Sequence, residues 1–239
     1  MLNLAIKIKG KTTCGDWTAK DAVRELLCDR YDRLQSLSGL DIGSELGFQW
    51  TQTEESQLVK NDRTHSREGG DQFVSLLQKV TNVFQNNVNT NEAKARNFIN
   101  PFLVRGIKKV QSQYPKMGLS VEMEFSGDRG YGKLDYVVSY LSFAVLVTEA
   151  KMNAVEAGIA QNLAQLCTVF RAKSKRKPQS MIYGIVTTGA TWVFVRRKSP
   201  GDVKYSKPFH CSLSGKMETE KTVPEIIVGI LLAQAKEFS

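Results

Sequence analysis

Cysteine and histidine are scarce in this chain of 239 residues: four cysteines, Cys14, Cys28, Cys167 and Cys211, and two histidines, His65 and His210, stand far apart. There is no Cys-x-x-Cys pair and no zinc-ligand spacing, which excludes a zinc finger or ribbon and a disulfide framework. The cysteines read as free thiols in a reducing compartment. His65, in a polar stretch, reads as a solvated residue rather than a ligand. No apolar run approaches the length of a membrane span. The opening stretch Met1-Leu-Asn-Leu-Ala-Ile-Lys-Ile-Lys9 alternates like a strand and lacks the continuous apolar core of a signal peptide. A soluble protein with no membrane partner is expected.

Acids are outnumbered in only one part of the chain. Residues 1–89 carry 11 Lys and Arg against 12 Asp and Glu, and residues 90–239 carry 22 against 12, so the whole formal excess of +9 lies in the second part. A basic segment suits a polyanionic partner, because phosphate neutralisation supplies most non-specific nucleic-acid affinity. Plain solubility is served by the same charge. The polar stretch 50–70, ending in Gly69-Gly70, reads as a linker or exposed loop. The expected division is an accessory α/β segment of residues 1–68 and a larger domain of residues 69–239.

Periodicity then places the elements. A strand over 2–9 and a helix from Thr18 to Leu37 come first. Phe73, Leu76, Leu77, Val80 and Phe84 make one apolar stripe of a helix from Asp71 to Asn87. A further helix spans Asn91 to Gln113, kinked at Pro101 or restarted there; Glu92 sits in its first turn, where an exposed acid is also favoured. Ser120–Phe125 alternates as a strand. The glycine-rich turn Ser126–Gly132 precedes a strand rather than a helix, so a dinucleotide or P-loop assignment fails on context. Arg129 and Lys133, at this turn, are candidates for phosphate contact.

Chemistry concentrates in the next two runs. Asp135 lies in Lys133-Leu-Asp-Tyr-Val-Val-Ser-Tyr140, and Glu149-Ala-Lys151 closes Phe143-Ala-Val-Leu-Val-Thr-Glu-Ala-Lys151. A short break between two β-rich runs signals a hairpin or closely connected strand pair. Glu149 and Lys151 share a face, since side chains alternate along a strand, and pairing brings Asp135 to the same spot. Two carboxylates and an ammonium at a strand end are what metal-assisted phosphodiester hydrolysis needs. Acid-x-Lys also occurs at Glu92-Ala-Lys94, in a helix, and at Asp202-Val-Lys204, in a turn, so the tripeptide alone carries little. By spacing, a metal site and a strand emerging into solvent through charged residues are equally compatible.

A helix from Asn153 to Lys173 follows, with Asn153 and Glu156 resembling a capping box. Ala154, Ala157, Gly158, Gln161, Ala164 and Gln165 form its small-residue side; the two glutamines satisfy backbone groups or face a ligand. The run Arg171-Ala-Lys-Ser-Lys-Arg-Lys-Pro178 fits a solvated face, nuclear import, or DNA-backbone contact through Lys173, Lys175, Arg176 and Lys177. Met181–Thr188 and Thr191–Arg196 form a hairpin. A last helix runs from Val223 to Glu237.

Over roughly residues 90–195 this order of elements resembles the core of the PD-(D/E)XK nuclease superfamily. Five phrases, Asn91-Glu-Ala-Lys-Ala-Arg-Asn-Phe-Ile-Asn-Pro101, Gly132-Lys-Leu-Asp-Tyr136, Thr148-Glu-Ala-Lys151, Gly158-Ile-Ala-Gln-Asn-Leu-Ala-Gln165, and Tyr183-Gly-Ile-Val-Thr-Thr-Gly189 with Trp192-Val-Phe194, resemble the nuclease-like C-terminal domains of Crinkler effectors of oomycetes and fungi. The resemblance implies an α/β, restriction-endonuclease-like core with a central mixed sheet flanked by helices. It implies Mg²⁺ or Mn²⁺ on Asp135, Glu149 and the Ala150 carbonyl, with Glu92 completing the shell or a second metal. Lys151 would orient water or neutralise phosphate charge, and Gln161, ahead of Gln165, would be the helix glutamine. Gln165 is also a candidate for nucleic-acid contact. Leu134 stands where proline is common, and residues 1–68 carry no Leu-Phe-Leu-Ala-Lys-type translocation motif and no ubiquitin-like header. DNA, favoured over RNA, is the implied partner, in a nucleus or a host nucleus after secretion. A catalytically silent nucleic-acid-binding or protein-interaction module is the alternative, with a host-protein contact through residues 1–68 and a homodimer also open.

Overall fold

One mixed β-sheet organises the chain. The computed structural model describes residues 14–27, 33–47, 65–84, 91–127, 130–141, 143–151, 155–172, 181–199, 202–213 and 217–238. The strand expected at residues 2–9 lies outside them. The strands are β1 (Ser38–Leu40), β2 (Gly118–Gly127), β3 (Gly130–Tyr140), β4 (Phe143–Ala150), β5 (Ile182–Thr187), β6 (Thr191–Ser199), β7 (Asp202–Ser206) and β8 (Phe209–His210). They are ordered β1-β7-β6-β5-β4-β3-β2, with β8 also on β6. β4–β5 and β1–β7 are parallel and the other pairs antiparallel.

The helices are α1 (Ala19–Asp21), α2 (Ile42–Glu45), α3 (His65–Val83), α4 (Glu92–Gln111), α5 (Val155–Ala172) and α6 (Glu218–Lys236). The expected central mixed sheet with flanking helices is therefore present. Every residue of β5 is buried, as a strand with both faces covered requires. On one face Phe98, Phe102 and Leu103 of α4 and Ile226, Ile230 and Leu231 of α6 pack against Tyr136, Leu146 and Ile185. Phe73 of α3 sets its ring edge-on to Phe102 at 5.2 Å. On the other face Ile159, Leu163 and Leu166 of α5 pack against Val137, Val147 and Val186.

Several boundaries differ from the sequence expectation. α4 runs unbroken through Pro101. An interior proline costs about 3 kcal/mol, but the wholly buried residues on either side of it, Phe98, Ile99, Phe102 and Leu103, hold the helix against the core. The expected helix over 18–37 is not continuous. α1, capped by the Thr18–Asp21 capping box, passes into a π-turn at Ala22–Leu26, and a 3₁₀ turn at Leu34–Leu37 leads into β1. Asp202-Val-Lys204, expected in a turn, lies in β7. α3 begins at His65, inside the stretch read as a linker.

The segment expected to be accessory contributes its described part to the same body. Trp17, Val23, Leu26, Leu27, Leu34 and Leu37 join the core beside α5, and β1 extends the sheet through β7. Among the described residues no helix is long and apolar enough to cross a membrane. Cys167 and Cys211 are buried.

Candidate active site

The β3–β4 ladder ends at the pair Tyr136–Thr148, leaving Asp135 and Glu149 just beyond it. The next backbone donor on β4, the Ala150 N–H, is taken by Asp135 Oδ2 at 2.8 Å. Asp135 thus replaces the strand backbone at the point where the two strands part. Its second oxygen, Oδ1, accepts from Arg96 Nη2 of α4 at 3.2 Å. Glu149, 7% exposed, accepts from Gln165 Nε2 at 2.5 Å through Oε2, and its Oε1 lies 2.8 Å from Lys151 Nζ.

α5 reaches this spot because two residues along its contact with the sheet have no side chain. A Cβ on Gly158 would lie 2.5 Å from Val186 Cγ1 and 2.9 Å from Lys151 Cγ. A Cβ on Gly184 of β5 would fall on Asn162 Oδ1, with Cγ at 2.8 Å. Asn162, wholly buried, donates through Nδ2 to the Val147 carbonyl at 3.2 Å and to Gln165 Oε1 at 3.4 Å. Gly158, Asn162 and Gln165, at i, i+4 and i+7, are the line of α5 that meets the sheet.

That line corrects the choice between the glutamines. Gln161 does not join the carboxylates; its Nε2 donates to the Gly15 carbonyl at 2.6 Å. The small-residue side of α5 is shared between the sheet and the N-terminal segment, and Gln161 falls on the latter. Gln165 takes the place beside Glu149.

The electrostatics follow from burial and pairing. Burial, above all, pushes the Glu149 carboxyl up; Lys151 opposes this and the nearby Asp135 charge adds to it. Tyr136 is pushed up to about 12, chiefly by burial. Its hydroxyl is buried with no hydrogen-bond partner among the described residues. Arg96 is held charged, first by its hydrogen bond to Glu122 of β2, which is paired with Arg96 Nη1. Glu122 in turn is pulled below the ordinary carboxylate range by Arg96.

The chain matches no family model, curated protein or solved structure. Its function must therefore be argued from these residues.

The remaining candidates are placed as follows. Ala150 closes β4 with its side chain buried. Glu92 is the first residue of α4, one turn ahead of Arg96, after the Asn91 cap that accepts from the Lys94 N–H at 2.8 Å; its side chain is outside what is described. Lys133 lies on β3 with its side chain 62% exposed, 4.0 Å from Glu122 Oε2. Arg129, Lys173, Lys175, Arg176 and Lys177 lie outside the described residues. Among the described residues no three His, Cys, Asp or Glu side chains gather as a metal-binding group; the acids at the site are the pair Asp135 and Glu149.

Arg96, Glu122 and Asn162 are not among the candidate residues that the sequence offers. Arg96 stands four residues after Glu92, hence on the same helix face, which is the signal that could have found it. Glu122 stands opposite Asp135 in the β2–β3 register, between the pairs Val121–Tyr136 and Met123–Leu134. Asn162 was hidden by the two glutamines around it.

Proposed function

We propose that this protein is a divalent-metal-dependent nuclease that hydrolyses phosphodiester bonds of DNA through Asp135, Glu149, Lys151 and Gln165. The supporting observation is the meeting of two carboxylates, an ammonium and an amide where β3 and β4 part. The donor set fits the cofactor: carboxylate oxygens are hard ligands of the kind Mg²⁺ and Mn²⁺ take, and a carboxylate oxygen that accepts one hydrogen bond keeps a further lone pair. Asp135 and Glu149 would hold the ion, with the Ala150 carbonyl and Glu92 as further ligands, and such an ion supplies a bound water of lowered pKa and charge stabilisation at phosphate.

The chain's own residues divide the remaining work. Gln165 fixes the orientation of the Glu149 carboxylate through Oε2, as outer-shell partners of ligands do. Asn162 fixes Gln165 in turn. Lys151, its side chain 19% exposed, presents a cation from a largely water-excluded wall, where it neutralises charge developing on a phosphate oxygen. Lys133 and the basic run after α5 are suited to backbone phosphates rather than bases. The resemblance to Crinkler nuclease-like domains extends the proposal to an effector acting in a nucleus.

A silent nucleic-acid-binding module on the same fold is the second reading, and one observation favours it. Each of the four carboxylate oxygens already faces a nitrogen donor. Incubation with plasmid and linear DNA in Mg²⁺, Mn²⁺ or EDTA separates the two. The nuclease reading expects cleavage that EDTA abolishes and that Glu149→Ala and Lys151→Ala abolish. Cleavage surviving either substitution would remove the assigned site. Binding with a steep salt dependence and no cleavage under any metal would establish the silent module.

A further inference from the structure

Each acid of the pair already faces a cation, Asp135 facing Arg96 and Glu149 facing Lys151. A dication therefore competes with a resident cation, and it gains little until one of the two leaves Asp135 or Glu149. Lys151 is tied to Glu149 on its own strand end at 2.8 Å. Arg96 is the more easily exchanged of the two, on three observations.

Its bond to Asp135 is the longer, at 3.2 Å from Nη2 to Oδ1. Its guanidinium has a second anchor outside the pair, Glu122, bound through Nη1. Its Nε is buried with no hydrogen-bond partner among the described residues, so the guanidinium is incompletely satisfied where it stands. Glu122 also holds an unusual backbone position. At φ +52° it occupies the left-handed region within β2, a conformation costing a non-glycine residue about 1–2 kcal/mol, and its carboxylate meets Arg96 from there. A fork with one fixed arm and one arm on a replaceable carboxylate is suited to exchanging that carboxylate for phosphate, which guanidinium also binds in bidentate fashion.

We propose that Arg96 makes divalent-cation binding at the Asp135–Glu149 pair conditional on phosphate. Arg96 neutralises Asp135 in the free protein and turns to a phosphodiester when the cation takes its place, with Glu122 as the fixed anchor. The proposal rests on the nuclease reading and deepens it. Cation and phosphate then strengthen each other's binding by the same factor, as linkage requires, and the protein alone holds the cation weakly. Arg96 is a positioning residue in this scheme, acting on the cation through Asp135.

The test is Mn²⁺ binding followed by the EPR signal of free Mn²⁺, with and without dimethyl phosphate, a soluble diester that resists hydrolysis. In the parent protein dimethyl phosphate should tighten Mn²⁺ binding by about fivefold or more, the lower end of ordinary coupling. Arg96→Gln should bind Mn²⁺ tighter than the parent by a similar factor without phosphate, and dimethyl phosphate should add nothing further. Arg96→Lys, which keeps the charge but not the fork, should keep the weak binding and lose the coupling; it carries the test if Arg96→Gln does not fold. Mn²⁺ binding that Glu149→Gln abolishes but that both Arg96 variants leave as in the parent would overturn this inference and leave the metal site standing. Full coupling retained in either Arg96 variant would overturn it as well. No Mn²⁺ binding in any of these proteins would overturn both the inference and the nuclease reading.

Discussion

Gly184→Ala tests the packing on which the site depends. The added methyl would fall on Asn162 Oδ1 and lie 2.8 Å from Cγ and 3.1 Å from Nδ2. Asn162 cannot swing aside cheaply, because it is wholly buried and its Nδ2 donates to Val147 and Gln165. Gly184 has no left-handed φ, so the effect of alanine there is steric. Overpacking of this kind costs about 1–3 kcal/mol, and a displaced amide leaves a buried acceptor unpaired at about 1–3 kcal/mol more. The expected loss is about 2–6 kcal/mol in urea unfolding followed by circular dichroism. Asn162→Ala alone should cost about 1–3 kcal/mol through its lost hydrogen bonds. In the double variant alanine at 162 leaves room for the methyl, so the combined loss should fall short of the sum by about 1 kcal/mol or more. A Gly184→Ala protein within about 0.5 kcal/mol of the parent, the range of an ordinary surface change, would refute the close approach of α5 to β5. Strict additivity in the double variant would refute the Asn162 contact.

Three further outcomes are expected. On the proposed nuclease function, Gln165→Leu should lower DNA cleavage by about tenfold or more, in the range of lost outer-shell partners, while Gln161→Leu leaves it unchanged; equal losses would return Gln161 to the site. Burial raises the Glu149 pKa, so the folded protein binds that proton more tightly than the unfolded chain does. Its stabilising contribution is full below the ordinary carboxylate value and declines as pH rises through the raised one. Thermal melts should therefore show Glu149→Gln gaining on the parent from pH 4 to pH 7, and parallel pH profiles would refute this. Removing residues 1–47 strips Trp17, Leu26, Leu34 and Leu37 from the core and β1 from the sheet. The remaining chain should lose its cooperative melt, and a melt within a few degrees of the parent's would show that segment to be dispensable.

Much of the site was legible because it is local. Asp135 and Glu149 lie on adjacent strands joined by a short turn, so the hairpin signal and alternation together place them at one spot. The sheet strands near them announced themselves as apolar runs. What escaped depends on partners distant in the chain. The choice of Gln165 over Gln161 required knowing that the turn around Gly15 covers part of α5. The unbroken course of α4 through Pro101 required knowing how deeply Phe98 and Phe102 are buried. β7 is short and follows Pro200-Gly201 in the sequence, so local signals spoke for a turn at Asp202-Val-Lys204. Arg96 carries no sequence signal beyond its helix face, because its partner Asp135 lies 39 residues away.

The parallel pairing of β1 with β7 has a consequence for the order of folding. These two strands lie about 160 residues apart in the chain, so Leu34, Leu37 and β1 emerge from the ribosome long before their partner exists. The carboxylate hairpin β3–β4 has only a short loop to close, whereas closing the far edge of the sheet must wait until β7 has been made. The protein should therefore pair the strands that carry Asp135 and Glu149 early and acquire its final edge last.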